Sequence, residues 1–85
     1  MVAYKLLFKE SVYKDLKVLS KSDLKRILAK IEELAQNPHL VGSEKLSGLQ
    51  LFRVRQGKYR ILYSIQDLEL VVHVIKVGHR KDVYR

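Results

Sequence analysis

The sequence contains no cysteine. Disulfide frameworks and thiolate metal sites are excluded by that alone, and the absence agrees with a reducing compartment. No run approaches the roughly 20 apolar residues needed to span a bilayer. The apolar stretch at residues 2–8 is too short for the core of a secretory signal. A cytoplasmic protein with no membrane partner is the expectation. Glycines number four, and none belongs to a glycine-rich phosphate loop with its lysine or to a Gly-x-Ser-x-Gly elbow. The histidines, His39, His73 and His79, are scattered and share no metal-ligand spacing with Asp or Glu. No metal and no cofactor are expected. Acids are scarce, nine against seventeen Lys and Arg, and they form no acid/base pair; Glu32 and Glu33 fall on the outer side of a helix.

What is present begins with charge. The net charge is +8, and it is uneven. Residues 1–42 hold eight bases and five acids, residues 43–85 nine and four. Arginine becomes the main base in the second half. A charge of this size attracts polyanions by counterion release, though it also serves solubility. With 85 residues and 47% hydrophobic content, the chain reads as one folded domain, residues 1–85, which buries about 60–65% of its unfolded surface.

Periodicity organises that domain. Val2, Tyr4, Leu6 and Phe8 alternate with Ala3, Lys5 and Leu7, the pattern of a strand with one buried face. Val12, Tyr13, Leu16 and Leu19 then form a helical stripe. Either Ser20 or Ser22 can cap a new helix, and Ser20 with Asp23 has capping-box spacing, with Asp in place of Glu. A second helix follows, with Leu24, Ile27, Leu28, Ile31, Leu34 and Ala35 at three- and four-residue steps. The chain's one proline, Pro38, ends it. The short turn between the helices predicts an antiparallel hairpin. Residues 39–49 read as a loop.

Three strands complete the pattern. A two-residue turn at Gly57-Lys58 would set Gln56 against Tyr59, Arg55 against Arg60 and Val54 against Ile61. Phe52, Val54, Ile61, Tyr63 and Ile65 then share one face with the helices. Leu51, Arg53, Arg55, Arg60 and Leu62 share the other. In the last strand, Leu70, Val72 and Val74 are expected on the core face after a turn at Asp67-Leu68. Val71, His73, Ile75 and Val77 are expected on the arginine face. The fold class is α+β, in the order β-α-α-β-β-β. The sheet is mainly antiparallel, with two helices on one face and the first strand at an edge.

Clustered arginines are costly in a sheet, because like charges directly opposite one another repel. An anion relieves that cost, and the planar guanidinium fits phosphate oxygens. A solvated outer face accounts for the same residues without a ligand. The tail, Gly78-His79-Arg80-Lys81-Asp82-Val83-Tyr84-Arg85, adds basic residues, and one helical turn would put Arg80 and Tyr84 on the same side.

These stretches together resemble RelE-type toxins of the RelE/ParE toxin–antitoxin superfamily. The resemblance rests on the helical hairpin ending in Asn37-Pro38 and on the Lys45-Leu46-Ser47-Gly48 loop. It also rests on the strand Phe52-Arg53-Val54-Arg55, the hairpin from Gly57 to Tyr63, and the ending Val77 to Tyr84. It implies a toxin that cleaves mRNA in the ribosomal A site, without metal, by attack of the 2′-hydroxyl on its own phosphate. Arg60, Arg80 and Tyr84 match the family's catalytic positions. Arg53, Arg55, Lys58, His79 and Lys81 are the implied RNA contacts; the best-known relatives carry lysines at the first two. The implied partners are a cognate antitoxin protein and the ribosome with its mRNA. A ParE-like DNA gyrase inhibitor, a non-catalytic RNA-binding module and a catalytically degenerate toxin remain the alternatives.

Overall fold

The structure, a computed structural model, describes residues 3–39, 44–46 and 51–79. The elements run β1 (Lys5–Phe8), α1 (Glu10–Lys17), α2 (Lys21–Gln36), β2 (Glu44–Lys45), β3 (Phe52–Gln56), β4 (Tyr59–Gln66) and β5 (Val71–His79). The strands form one mixed sheet in the order β1-β5-β4-β3-β2. β1 lies at an edge, as expected, and pairs parallel with β5; the other pairings are antiparallel.

The helices form where the pattern placed them. Ser20 caps α2, its hydroxyl accepting from the Asp23 amide at 3.2 Å. Asn37 leaves the helical region at φ −151°, as a residue before proline should. Ile27, Ile31, Leu34 and Ala35 are buried, and Val12 joins them from α1. Tyr13 and Leu28, both expected in the stripe, stay exposed. They sit at the margins of faces whose centres already cover the sheet.

The hairpin register is the predicted one. Gln56, Arg55, Val54 and Phe52 stand opposite Tyr59, Arg60, Ile61 and Tyr63. Gly57 takes φ +60° at the first turn position, where a type II′ turn puts glycine. Val54, Ile61 and Tyr63 pack into the core with Val72 and Val74 from β5. The Tyr63 hydroxyl donates to the Pro38 carbonyl at 2.9 Å, which ties the end of α2 to the sheet.

Three expectations are corrected. First, the 39–49 stretch is not all loop. Glu44 and Lys45 form a short strand on β3, and the Leu46 amide extends the ladder to the Leu51 carbonyl. Second, Val77 is a core residue, 2% exposed, opposite Ile61. A bulge does this: Tyr63 pairs with Val74, but Leu62 pairs with Lys76, so Ile75 is skipped and the alternation inverts. Strict alternation after Val72 and Val74 would bury the Lys76 ammonium and expose Val77, and burying an ammonium is far more costly than a bulge. Third, Leu70 lies outside the core. The turn widens to residues 67–70, and Leu70 takes φ 54° and is 38% exposed.

The bulge lies where β1 stops. β1 pairs with β5 over Val71–Val74, and among the described residues the β5 edge beyond it has no strand neighbour. α1 covers it instead. An Asp15 carboxylate oxygen accepts from the Val77 amide at 3.2 Å, and the other accepts from the Lys76 ammonium at 3.2 Å.

Candidate active site on the arginine face

Strand alternation aims Arg53 and Arg55 from β3 to the side of the sheet away from the helices, and Arg60 joins them from β4. Arg55 and Arg60 stand directly opposite each other, and Arg53 stands opposite Leu62. On its other flank Arg60 faces Gly78, which brings no side chain beside it. Arg60 is only 8% exposed. Charged residues on a solvated outer face are seldom buried to that degree unless they have a partner. Arg55 is exposed beside it. A buried guanidinium next to an exposed one makes a floor and a rim for an anion.

The structure adds a residue that sequence reasoning passed over. Glu44, on β2, lies opposite Arg53. One of its carboxylate oxygens accepts from Arg53 Nη2 at 2.6 Å and from Nε at 3.2 Å. These hydrogen bonds, with the charge of Arg53, hold the Glu44 carboxyl below its usual range. The charges of Arg55 and Arg60 act in the same direction, and partial desolvation opposes them. All three arginines therefore act on one carboxylate. No sequence signal marked Glu44, because its partner became visible only with the pairing of β2.

The other expected contacts divide. Lys58 is exposed on the hairpin turn. It lines a cavity of about 500 Å³ with Asp23, Arg26, Gln56 and Tyr59, on the helix side of the sheet. His79 is not brought to the arginine face. It pairs with Tyr59, a core-facing residue, and meets its ring edge-on at 6.2 Å. Tyr59 in turn donates to Asp23 at 3.1 Å, and burial followed by that bond pushes its phenol above the ordinary range. Arg80, Lys81 and Tyr84 lie outside the described residues. Among the described residues, no group of three His, Asp or Glu side chains could hold a metal ion.

Known proteins share this fold. Residues 6–84 match the family described as the ParE toxin of the type II toxin-antitoxin system, parDE. The toxin RelG of Mycobacterium tuberculosis is 40% identical over 68 residues, covering 71% of this chain and 76% of that protein. The mRNA interferase toxin RelE of Escherichia coli K12 is 30% identical over 83 residues, covering 94% and 86%. The archaeal RelE in complex with RelB from Pyrococcus horikoshii superposes with a TM-score of 0.81 at 28% identity, covering 98% of this chain and all of that one. Two helices with a five-strand mixed sheet thus recur in toxins of type II toxin–antitoxin systems. The chain belongs to the RelE/ParE superfamily of those toxins and is of the RelE type.

Proposed function

We propose that this toxin is an endoribonuclease that cuts mRNA in the ribosomal A site and is held in check by a cognate antitoxin. The observation that carries the reading is the burial of Arg60 against exposed Arg55. The pair matches a phosphate whose charge grows during cleavage. The interferase name of the E. coli relative and the RelE–RelB complex from P. horikoshii support it.

The chemistry needs three things: a base for the 2′-hydroxyl, donors for the phosphorane oxygens, and protonation of the 5′-oxygen. Tyr84 as phenolate takes the 2′ proton. The 2′-oxygen bonds to phosphorus, and the bond from phosphorus to the 5′-oxygen breaks. A solvent water gives a proton to the leaving 5′-oxygen, so that a 2′,3′-cyclic phosphate and a 5′-hydroxyl result. A phenol of ordinary pKa about 10 is a weak candidate at neutral pH, and nearby cations favour its ionised form. Arg60 holds the non-bridging oxygens. Arg80 stabilises the charge that develops toward the leaving oxygen. Arg53 and Arg55 place the backbone, and the ribosome presents the mRNA in a reactive geometry.

The test is cleavage in a bacterial translation extract, mapped by primer extension, for the wild type, Arg80→Ala and Tyr84→Phe. Ribosome-dependent cuts within codons are expected, reduced by roughly 100-fold or more in each variant. The ParE description of the matching family favours a second reading, and a gyrase supercoiling assay run in parallel addresses it. Intact mRNA together with blocked supercoiling would replace the ribonuclease reading with gyrase poisoning.

A further inference from the structure

We infer that Glu44 is an internal stand-in for the RNA phosphate: it occupies Arg53 in the free toxin and yields that arginine to the backbone when RNA binds. The inference deepens the ribonuclease reading and rests on it.

The geometry is that of an anion site already filled. Glu44 reaches Arg53 with two hydrogen bonds onto a single oxygen, at 2.6 and 3.2 Å. A phosphate oxygen on a guanidinium edge would use the same donors. The carboxylate sits within the field of Arg55 and Arg60 as well, the same cations that would attract a phosphate. Its side chain is 58% exposed, against 21% for Arg53. The acid can therefore swing into solvent while the arginine stays in place. An exposed pair of this kind is weakly held because water screens it, so exchange for a phosphate is feasible. The pairing also shields Arg53 and Arg55 from each other before RNA arrives. Arg53 is then a conditional contact, available only to a ligand that outcompetes Glu44.

Counterion release gives the test its number. Each phosphate neutralised on single-stranded nucleic acid adds about 0.7 to the slope of log K against log salt. In the wild type, engaging Arg53 first displaces a carboxylate, so part of that gain is cancelled. Binding is measured over a salt titration to a short single-stranded RNA carrying 2′-O-methyl groups, which lacks the attacking hydroxyl. The proteins are the wild type, Glu44→Gln, Arg53→Gln and the double variant, each checked for an unchanged melting profile. Glu44→Gln is expected to bind about threefold tighter at low salt, with a slope steeper by up to about 0.7. The gain should vanish in the Arg53→Gln background, because the coupling runs through that arginine. A purely structural role for Glu44 predicts the opposite, weaker binding and an unchanged slope. If the wild type binds and Glu44→Gln binds no better, or the gain persists without Arg53, the exchange is overturned and the ribonuclease reading stands. If no folded variant binds RNA at all, the exchange is overturned, and the ribonuclease reading is decided separately by cleavage in the translation extract.

Discussion

Asp67 gathers a small network that no periodicity announces. The Tyr4 hydroxyl donates to it at 2.6 Å, and His39 Nε2 stands 3.3 Å from the same oxygen. The two bonds hold the Asp67 carboxyl below its ordinary 3.8, and the bond to Asp67 raises the Tyr4 phenol above its ordinary 10.0. The signs follow by linkage. A carboxyl with a lowered pKa stabilises the fold above pH 3.8 and loses that contribution as pH falls through the lowered value. A phenol with a raised pKa stabilises below pH 10.0 and loses it as pH rises through the raised value. Asp67→Ala should therefore melt below the wild type at neutral pH, and the two curves of melting temperature against pH should converge in both outer windows. A constant offset across pH would show that the network contributes packing alone. Leu70, three residues on, holds φ 54°, a region that costs a non-glycine residue roughly 1–2 kcal/mol. The four-residue turn that brings β5 back requires it.

At the scale of elements, α1 acts as a substitute strand. β5 outruns β1 by five residues, and an open strand edge invites foreign pairing. Asp15 closes part of it by accepting the Val77 amide. Asp15→Ala leaves a largely buried amide without that acceptor, and urea denaturation should show a loss of about 1–2 kcal/mol. Asp15→Asn keeps an acceptor and gives up the charge on half-exposed Lys76, so it should cost under about 1 kcal/mol. Equal losses in the two variants would mean that the ion pair, and not the amide bond, is what matters. The same element shows the limit of pattern reading. The α2 stripe and the β3–β4 register were legible, because each follows from a local period and a two-residue turn. The bulge at Ile75 had a signal that went unread: Lys76 falls where alternation demanded a core residue.

For the whole molecule, the sheet has two sides with opposing demands. The helix side carries the apolar core of ten buried residues and supplies the stability. The other side sets Arg55 against Arg60, a like-charge pair that weakens the sheet by roughly 0.2–1 kcal/mol. Arg55→Thr should consequently raise stability in urea by about 0.5 kcal/mol while mRNA cleavage in the translation extract falls. A variant that lost stability and kept cleavage would place the anion site elsewhere.

The sequence by itself determined the two helices, the start and stop of the second, the hairpin register, the α+β class and the gathering of Arg53, Arg55 and Arg60 on one face. Each of these depends on neighbours within a few residues or across one tight turn. The tertiary structure alone decided that β1 runs parallel beside β5, that Glu44-Lys45 completes the sheet and meets Arg53, that Val77 turns inward, and that His79 joins Tyr59 on the helix side. Those outcomes join residues distant in the chain. They follow from a competition over which side chains can be buried, and that competition has no local period to reveal it.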